Sequence, residues 1–360
     1  MQTIRKFLIK RQTIFVILIA LLLATLAIGL LLLVTGRNPG SALFYFFRGS
    51  FGSLYNAADT MSRMIPLAIA GVAFLIGAQC GVFNVGIEGQ LLVGALASAI
   101  VGYIIKLPAV IHLPLMLLTG CLVGGLYGLI PAWLKAYRGV NEILSTIMLN
   151  YPAFFFTHYM VLKVLPSQGV VPATPFIENT ARLPMLFEGT KLHAGLIIAA
   201  IISIAAYWLL FKTTLGYEMR AVGKNKDAAR FHGIPVERRM VIAFFLSGAL
   251  AGLAGAVEVA GVHYRFLDQL SPGYGYDSIV VAMVGLLNPF GVLISATLFG
   301  ALKTGIMDMS IFAAIPRQLS LLINGIVVLF ISAKSLIESG YLKILKGGVH
   351  AFDEEKETKR

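Results

Sequence analysis

No charged residue interrupts the chain from Met64 to Val82, and none from Leu91 to Tyr103. Runs of this kind recur along the whole sequence and restrict its fold more than any other feature. A helix needs about 20 apolar residues to cross the hydrocarbon of a bilayer. Inside lipid, backbone polar groups must be paired within the structure, and a run of this length does so as a helix. Counting the apolar runs gives about ten spans, at 13–35, 61–80, 84–103, 111–134, 142–163, 193–211, 241–262, 274–288, 291–307 and 317–334. The composition agrees, with 58% hydrophobic and 13% charged residues and a mean hydropathy of +0.84. A soluble domain is about 45–50% apolar and about 25% charged. The sequence predicts an all-α polytopic membrane protein of about ten transmembrane helices.

The first run has 23 residues behind a basic start, MQTIRKFLIKRQ. That is longer than the ~7–15 residues of a signal-peptide core, so it reads as an uncleaved first span. Orientation follows from the basic residues. With the N-terminus inside, the segments 1–12, 135–140, 212–240 and 334–360 face the cytoplasm and hold 19 of the 29 Lys and Arg. Cytoplasmic loops collect these residues, so both termini are expected inside. The same bias explains the formal net charge of +12 without any nucleic-acid partner. The expected organisation is a cytoplasmic N-terminus (1–12), a transmembrane domain (13–335) and a charged cytoplasmic tail (336–360). On this count spans two to five and seven to ten are inverted relative to each other, the inverted repeat of many transporters. It rests on counting, since no residue-level repeat is visible.

Two loops stand out. The outside loop 164–192 carries four of the 14 prolines: Pro166, Pro172, Pro175 and Pro184. The inside loop 212–240 has a helical middle, Lys224 to Phe231, ended by Gly233 and Pro235, and reads either as a docking element or as an ordinary basic loop. Spans eight and nine are short and meet at Asn288–Gly291, so they are either two full spans or a re-entrant pair.

Polar residues inside apolar runs carry the functional signal. In GVFNVGIEGQLLVG, residues 81–94, Gly81, Asn84 and Glu88 would share one helical face, and Gly86, Gly89 and Gln90 another. A carboxylate at a helix centre costs ~2.5–3.5 kcal/mol on insertion scales, so it must face protein, water or solute. Glu88 and its neighbours form either a broken-helix element lining a translocation path or a polar network tying spans two and three together. In span five Glu142, Thr146, Asn150 and Thr157 lie near one face, beside Phe154, Phe155 and Phe156. Hydroxyls, an amide and rings suit a small polar solute with a flat face, although helix–helix hydrogen bonding explains them equally. In span seven Ser247, Ala251 and Gly255 form a small-residue packing face. Glu258 lies beyond it towards the outer end. Asp277 reads as a helix cap.

Catalytic signatures are missing. Lys224 follows Gly223, but residue 218 is Glu and residue 225 is Asn, so there is no P-loop. The six histidines show no metal spacing, and Cys80 and Cys121 have no CxxC or His partner. No cofactor is expected.

The segments GVFNVGIEGQLLVGA, NEILSTIMLNY (141–151), LGYEMRAVGKNKDAARFHGI (215–234) and FFLSGALAGLAGAVE (244–258) together resemble the permease subunits of ABC importers of the ribose and branched-chain amino acid class. Within it they are most similar to nucleoside-uptake permeases, over roughly residues 55–335. The ribose-type sugar permeases carry a different sequence at FNVGIEGQ. The resemblance implies a multi-pass permease of the bacterial cell membrane that hydrolyses no ATP itself. Its partners would be an ATPase subunit with two nucleotide-binding domains, a second, paralogous permease and an extracellular solute-binding lipoprotein. It further implies that Gly223, Asn225, Ala228, Ala229 and Gly233 couple to the ATPase. Asn84, Glu88 and Gln90, with Thr146 and Asn150 opposite, are the candidates for the path of a nucleoside. The competing expectations are a permease for simple sugars, an ion-coupled transporter using Glu88 or Glu258, and, least supported, a membrane enzyme.

Overall fold

The computed structural model describes residues 22–165 and 171–313, with single positions between 315 and 329. Among the described residues the regular elements are helices, no strand forms, and bridge pairing is limited to Ala173 with Leu267 and Met185 with His193. Two compact units are distinguishable, residues 50–304 and the chain on either side of them.

In residues 50–304 the helices are α3 (Leu54–Gln79), α4 (Ile87–Ile104), α5 (Ala109–Arg138), α6 (Glu142–Tyr159), α7 (Gly195–Lys212), α8 (Thr214–Lys224), α9 (Lys226–Phe231), α10 (Val236–Glu258) and α11 (Tyr274–Val284). Among the described residues six helices are long and apolar enough to cross a membrane: α3, α4, α5, α7, α10 with its continuation to His263, and α12 (Pro289–Phe312). α3 and α10 are buried along most of their length, whereas α5 and α7 leave large apolar side chains exposed, as lipid-facing helices do. Both α6 and α10 end in a wider π turn, at Met160–Val164 and Val259–His263.

Glycine sets the closest packing. A Cβ at Gly124 of α5 would meet the carbonyl of Gly248 at 2.5 Å and the Cα of Gly252 at 2.7 Å, and one at Gly252 would collide with the carbonyl of Gly120. α4 joins through Gly94, where a Cβ would meet the Gly120 carbonyl at 2.7 Å. Helices without a hydrophobic force between them associate by this backbone approach.

Spans eight and nine take unequal lengths, 11 residues in α11 and 24 in α12. Asn288 accepts from the amides of Phe290 (3.0 Å) and Gly291 (3.4 Å), with Pro289 at the first helical position, so the NPFG sequence starts α12. Asp277 is not the cap of α11. Gly273, at φ +91°, holds that position, and Ser271 Oγ accepts from Tyr274 N at 2.9 Å. The Asp277 carboxylate is taken up by Lys303, 2.6 Å away on α12. The expected helical middle, Lys224 to Phe231, is α9 from Lys226 onward, and Lys224 is the last residue of the preceding helix α8. Asn225 is extended (φ −158°), ends α8 and caps α9 by accepting from Asp227 N and Ala228 N, both at 3.0 Å.

In the other unit, α1 (Leu22–Val34) and α2 (Pro39–Phe51) lead the chain. Leu32, Ala42, Met309 and Ile315 form a small apolar cluster there. Most of the expected tenth span, the first turns of span one, the segment 1–12, the tail 336–360 and Pro166 lie outside the described residues.

Candidate functional site: a broken helix and its polar ring

Residues 81–94 are not one helix. α3 stops at Gln79, the chain reverses through Gly81 (φ +72°), and α4 starts only at Ile87. Between them Val82–Val85 runs without helical pairing, so the first amides of α4 and the carbonyls of the break need outside partners. The candidate residues supply them. Asn84 is fully buried and uses both polar atoms of its side chain. Its Oδ1 accepts from Gly86 N at 3.0 Å and Gln90 Nε2 at 3.3 Å, and its Nδ2 donates to Gln90 Oε1 and Ser247 Oγ, both at 2.9 Å. The α6 stripe closes the other side. Thr146 Oγ1 lies 3.3 Å from Val85 N, Asn150 Oδ1 accepts from Gly89 N at 2.9 Å, and Asn150 Nδ2 donates to Val85 O at 3.1 Å. A second donation from Asn150 Nδ2 goes to the Tyr276 hydroxyl, also at 3.1 Å.

Glu88 completes the ring. Its Oε2 accepts from Gly275 N at 2.6 Å, while its own backbone stands in the first turn of α4. The carboxylate therefore sits at the positive ends of two helices, α4 and α11, which lowers the cost of a charge there. A Cβ at Gly275 would meet Glu88 N, so only glycine allows this approach. All five path candidates lie in one connected ring around the break. Thr157 is buried but bonds within its own helix, to Phe154 O at 3.0 Å. Phe155 and Phe156 are exposed, so the ring bonded into this network is Tyr276.

Sequence reasoning missed three partners: Ser247, taken as packing only, Gly275 and Tyr276. It also passed over two charged pairs set among apolar residues, Arg63–Asp59 at 2.9 Å and Lys303–Asp277 at 2.6 Å. The available signal was the lone cation within each apolar run. Glu258 is buried and meets His263 Nε2 at 3.5 Å. Among the described residues no group of three or more His, Cys, Asp or Glu could hold a metal ion.

The second site is the loop that carries α8 and α9. Ala229 is buried, Ala228 and Gly223 are exposed, and Gly233 (φ +78°) closes α9 in the left-handed conformation that glycine adopts without strain. Ile234 N returns to Ala229 O at 3.1 Å. The loop is tied down by Arg230–Glu237 and Arg239–Glu218 ion pairs. Phe231, at the end of α9, is 93% exposed.

Long apolar helices around an internally satisfied helix break define a multi-pass membrane protein. The sequence profile described as "Branched-chain amino acid transport system / permease component" matches residues 56–332, and the chain belongs to that family of transport-system permeases. It is similar over most of its length to three curated proteins. The guanosine ABC transporter permease NupP of Bacillus subtilis is 36% identical, with 92% of this chain and 97% of the relative covered. The glucose ABC transporter permease TsgB13 of Haloferax volcanii is 35% identical, covering 92% and 89%. The nucleoside ABC transporter permease NupB of Lactococcus lactis is 32% identical, covering 91% and 93%.

Proposed function

We propose that this chain is a permease subunit of an ABC importer that takes nucleosides across the bacterial cytoplasmic membrane. The observation that carries the reading is the near full-length similarity to guanosine and nucleoside permeases. In this reading the chain crosses the membrane about ten times with both termini inside, and residues 13–335 form the permease domain. The loop 212–240 meets an ATPase with two nucleotide-binding domains. A paralogous permease completes the pore, a reading supported by the two guanosine permeases of one Bacillus and the two nucleoside permeases of one Lactococcus among the relatives. A solute-binding lipoprotein docks outside on 164–192. Hydrolysis belongs to the ATPase, and this chain forms and gates the path.

The ring around the break supports a role in shaping that path. A purely structural joint between helices is served by Ala and Gly, as the α5–α10 contact is. Buried amides and a carboxylate cost more and can exchange partners. Ribose hydroxyls and base amides are solutes of matching chemistry, and weak, exchangeable contacts let them leave.

Glucose transport is the competing reading, because a glucose permease is almost as similar. The deciding experiment is uptake of labelled guanosine and of labelled glucose in cells with and without this gene. Vanadate-sensitive guanosine uptake that needs the gene supports the proposal. Gene-dependent glucose uptake with no nucleoside uptake overturns the substrate. Uptake that survives vanadate and stops with a protonophore overturns the ABC reading in favour of ion coupling.

A further inference from the structure

Gly223, next to the last residue of α8, rests on the turn that ends α3. A Cβ there would collide with the carbonyl of Gln79 and would meet Gly81 N at 2.9 Å and the Cys80 carbonyl carbon at 3.0 Å. From the other side, a Cβ at Gly81 would meet the Gly223 Cα at 3.0 Å. Two backbones touch here with no side chain between them. Asn225, two residues on, already caps α9. The first residue of α9, Lys226, is thus only three positions from the backbone contact with residues 79–81.

The same turn reaches two further elements. Gln79 Nε2 donates to Leu287 O at 3.0 Å, between α11 and α12. Leu286 (φ +58°) and Leu287 (φ +48°) are consecutive leucines in the left-handed region, at a cost of roughly 1–2 kcal/mol each. Such strain persists only where neighbouring contacts hold it, and the Gln79 amide is one of them. In the other direction, Val82 leads directly into Asn84 and the polar ring. Beside the turn lies an open apolar groove of about 300 Å³, lined by Gly81 with Phe74, Val82, Phe83, Met283 and Leu287.

We propose that the Gln79–Gly81 turn is the joint that carries movement of the loop 212–240 into the solute path, with Gly223 as its bearing and Gln79 as its link to the strained turn at Leu286–Leu287. This rests on reading that loop as the ATPase contact. Gly223 and Gln79 are positioning residues and touch no solute.

Cys80 reports on the joint, because it is fully buried at the contact and the only other cysteine is Cys121. The assembled transporter is purified through a tag on this chain carrying Cys121→Ser, and maleimide labelling of Cys80 is timed without nucleotide and after trapping with ATP and vanadate. The joint requires rates that differ by about tenfold between the two states, within the usual range of coupled sites. Gly223→Ala should erase that difference and lower uptake per ATP hydrolysed by about tenfold while hydrolysis continues. Gln79→Leu should keep the Cys80 difference but lose uptake. Equal Cys80 rates in a complex that hydrolyses ATP and imports solute would overturn the joint and leave the permease reading intact. A purified complex with no ATPase would overturn the permease reading itself. If Gly223→Ala does not assemble, the Cys80 comparison and Gln79→Leu decide alone, and normal uptake by Gln79→Leu refutes the link.

Discussion

Two helix contacts in this bundle are made by opposite means. Along α5 and α10 the contact is made by Gly120, Gly124, Gly248 and Gly252, with no polar side chain between them. At the start of α4 the contact is made by Asn84, Thr146 and Asn150, which bond the open backbone groups of the break, with Gln90 held on the Asn84 side chain and Glu88 on the first turn of α11. The glycine seam gains from dispersion and close approach, and it has one good arrangement. The polar ring gains from hydrogen bonds, which can be traded for bonds to a solute or to water at little net cost. The difference teaches where a helical bundle keeps its rigidity and where it keeps its capacity to rearrange.

The largest effect is expected in the seam. Gly252→Val puts a branched side chain against the Gly120 carbonyl, where backbone cannot yield. Overpacking of this kind costs about 3 kcal/mol or more. Detergent extraction followed by size exclusion should return little monodisperse protein, and a normal yield would show that the seam can open.

Next comes the ring. Asn84→Ala strands the Gly86 amide, the Gln90 side chain and Ser247 in a buried site. The expected cost is about 1–3 kcal/mol per orphaned group, partly relieved by water. The assembled protein should melt at lower temperature yet remain folded, with uptake reduced more than its stability. Uptake falling only in step with the amount of folded protein would make the ring structural.

The smallest effect sharpens the boundary of the ring. Phe155 shares α6 with Thr146 and Asn150 but is 63% exposed. Phe155→Ala should change stability by no more than about 0.5 kcal/mol and leave uptake unaltered. A large loss of uptake would mean that the outward face of α6 also meets the solute or a second permease.

Much of this organisation was legible in the sequence. The long apolar runs are set by the cost of unpaired backbone in lipid, so α3, α4, α5, α7, α10 and α12 fall where the runs fall. The density of glycine and amides at 81–90 singled out this stretch but allowed either a break or a polar network between helices, because both residue types are expensive in an uninterrupted apolar helix. The partners were not legible. Which hydroxyl or amide Asn84 would meet depends on the crossing of α4, α6 and α10, and one sequence carries no signal for that. Asp277 looked like a cap because it opens an apolar run, yet Lys303, 26 positions later, offered a charge where solvent is scarce. The touching of Gly81 and Gly223 was equally hidden, since glycine near a helix end reads as a turn wherever it occurs.

Glu88 is the most direct test of the ring as part of a solute path. Glu88→Gln keeps the shape and an acceptor for Gly275 N, and removes the charge that two helix N-termini favour together with one acceptor oxygen. The variant is expected to assemble with its ATPase in normal amount, with guanosine uptake lowered about tenfold or its selectivity among nucleosides changed. Uptake at the original rate and selectivity, in a normally assembled complex, would contradict a role for this carboxylate in the path.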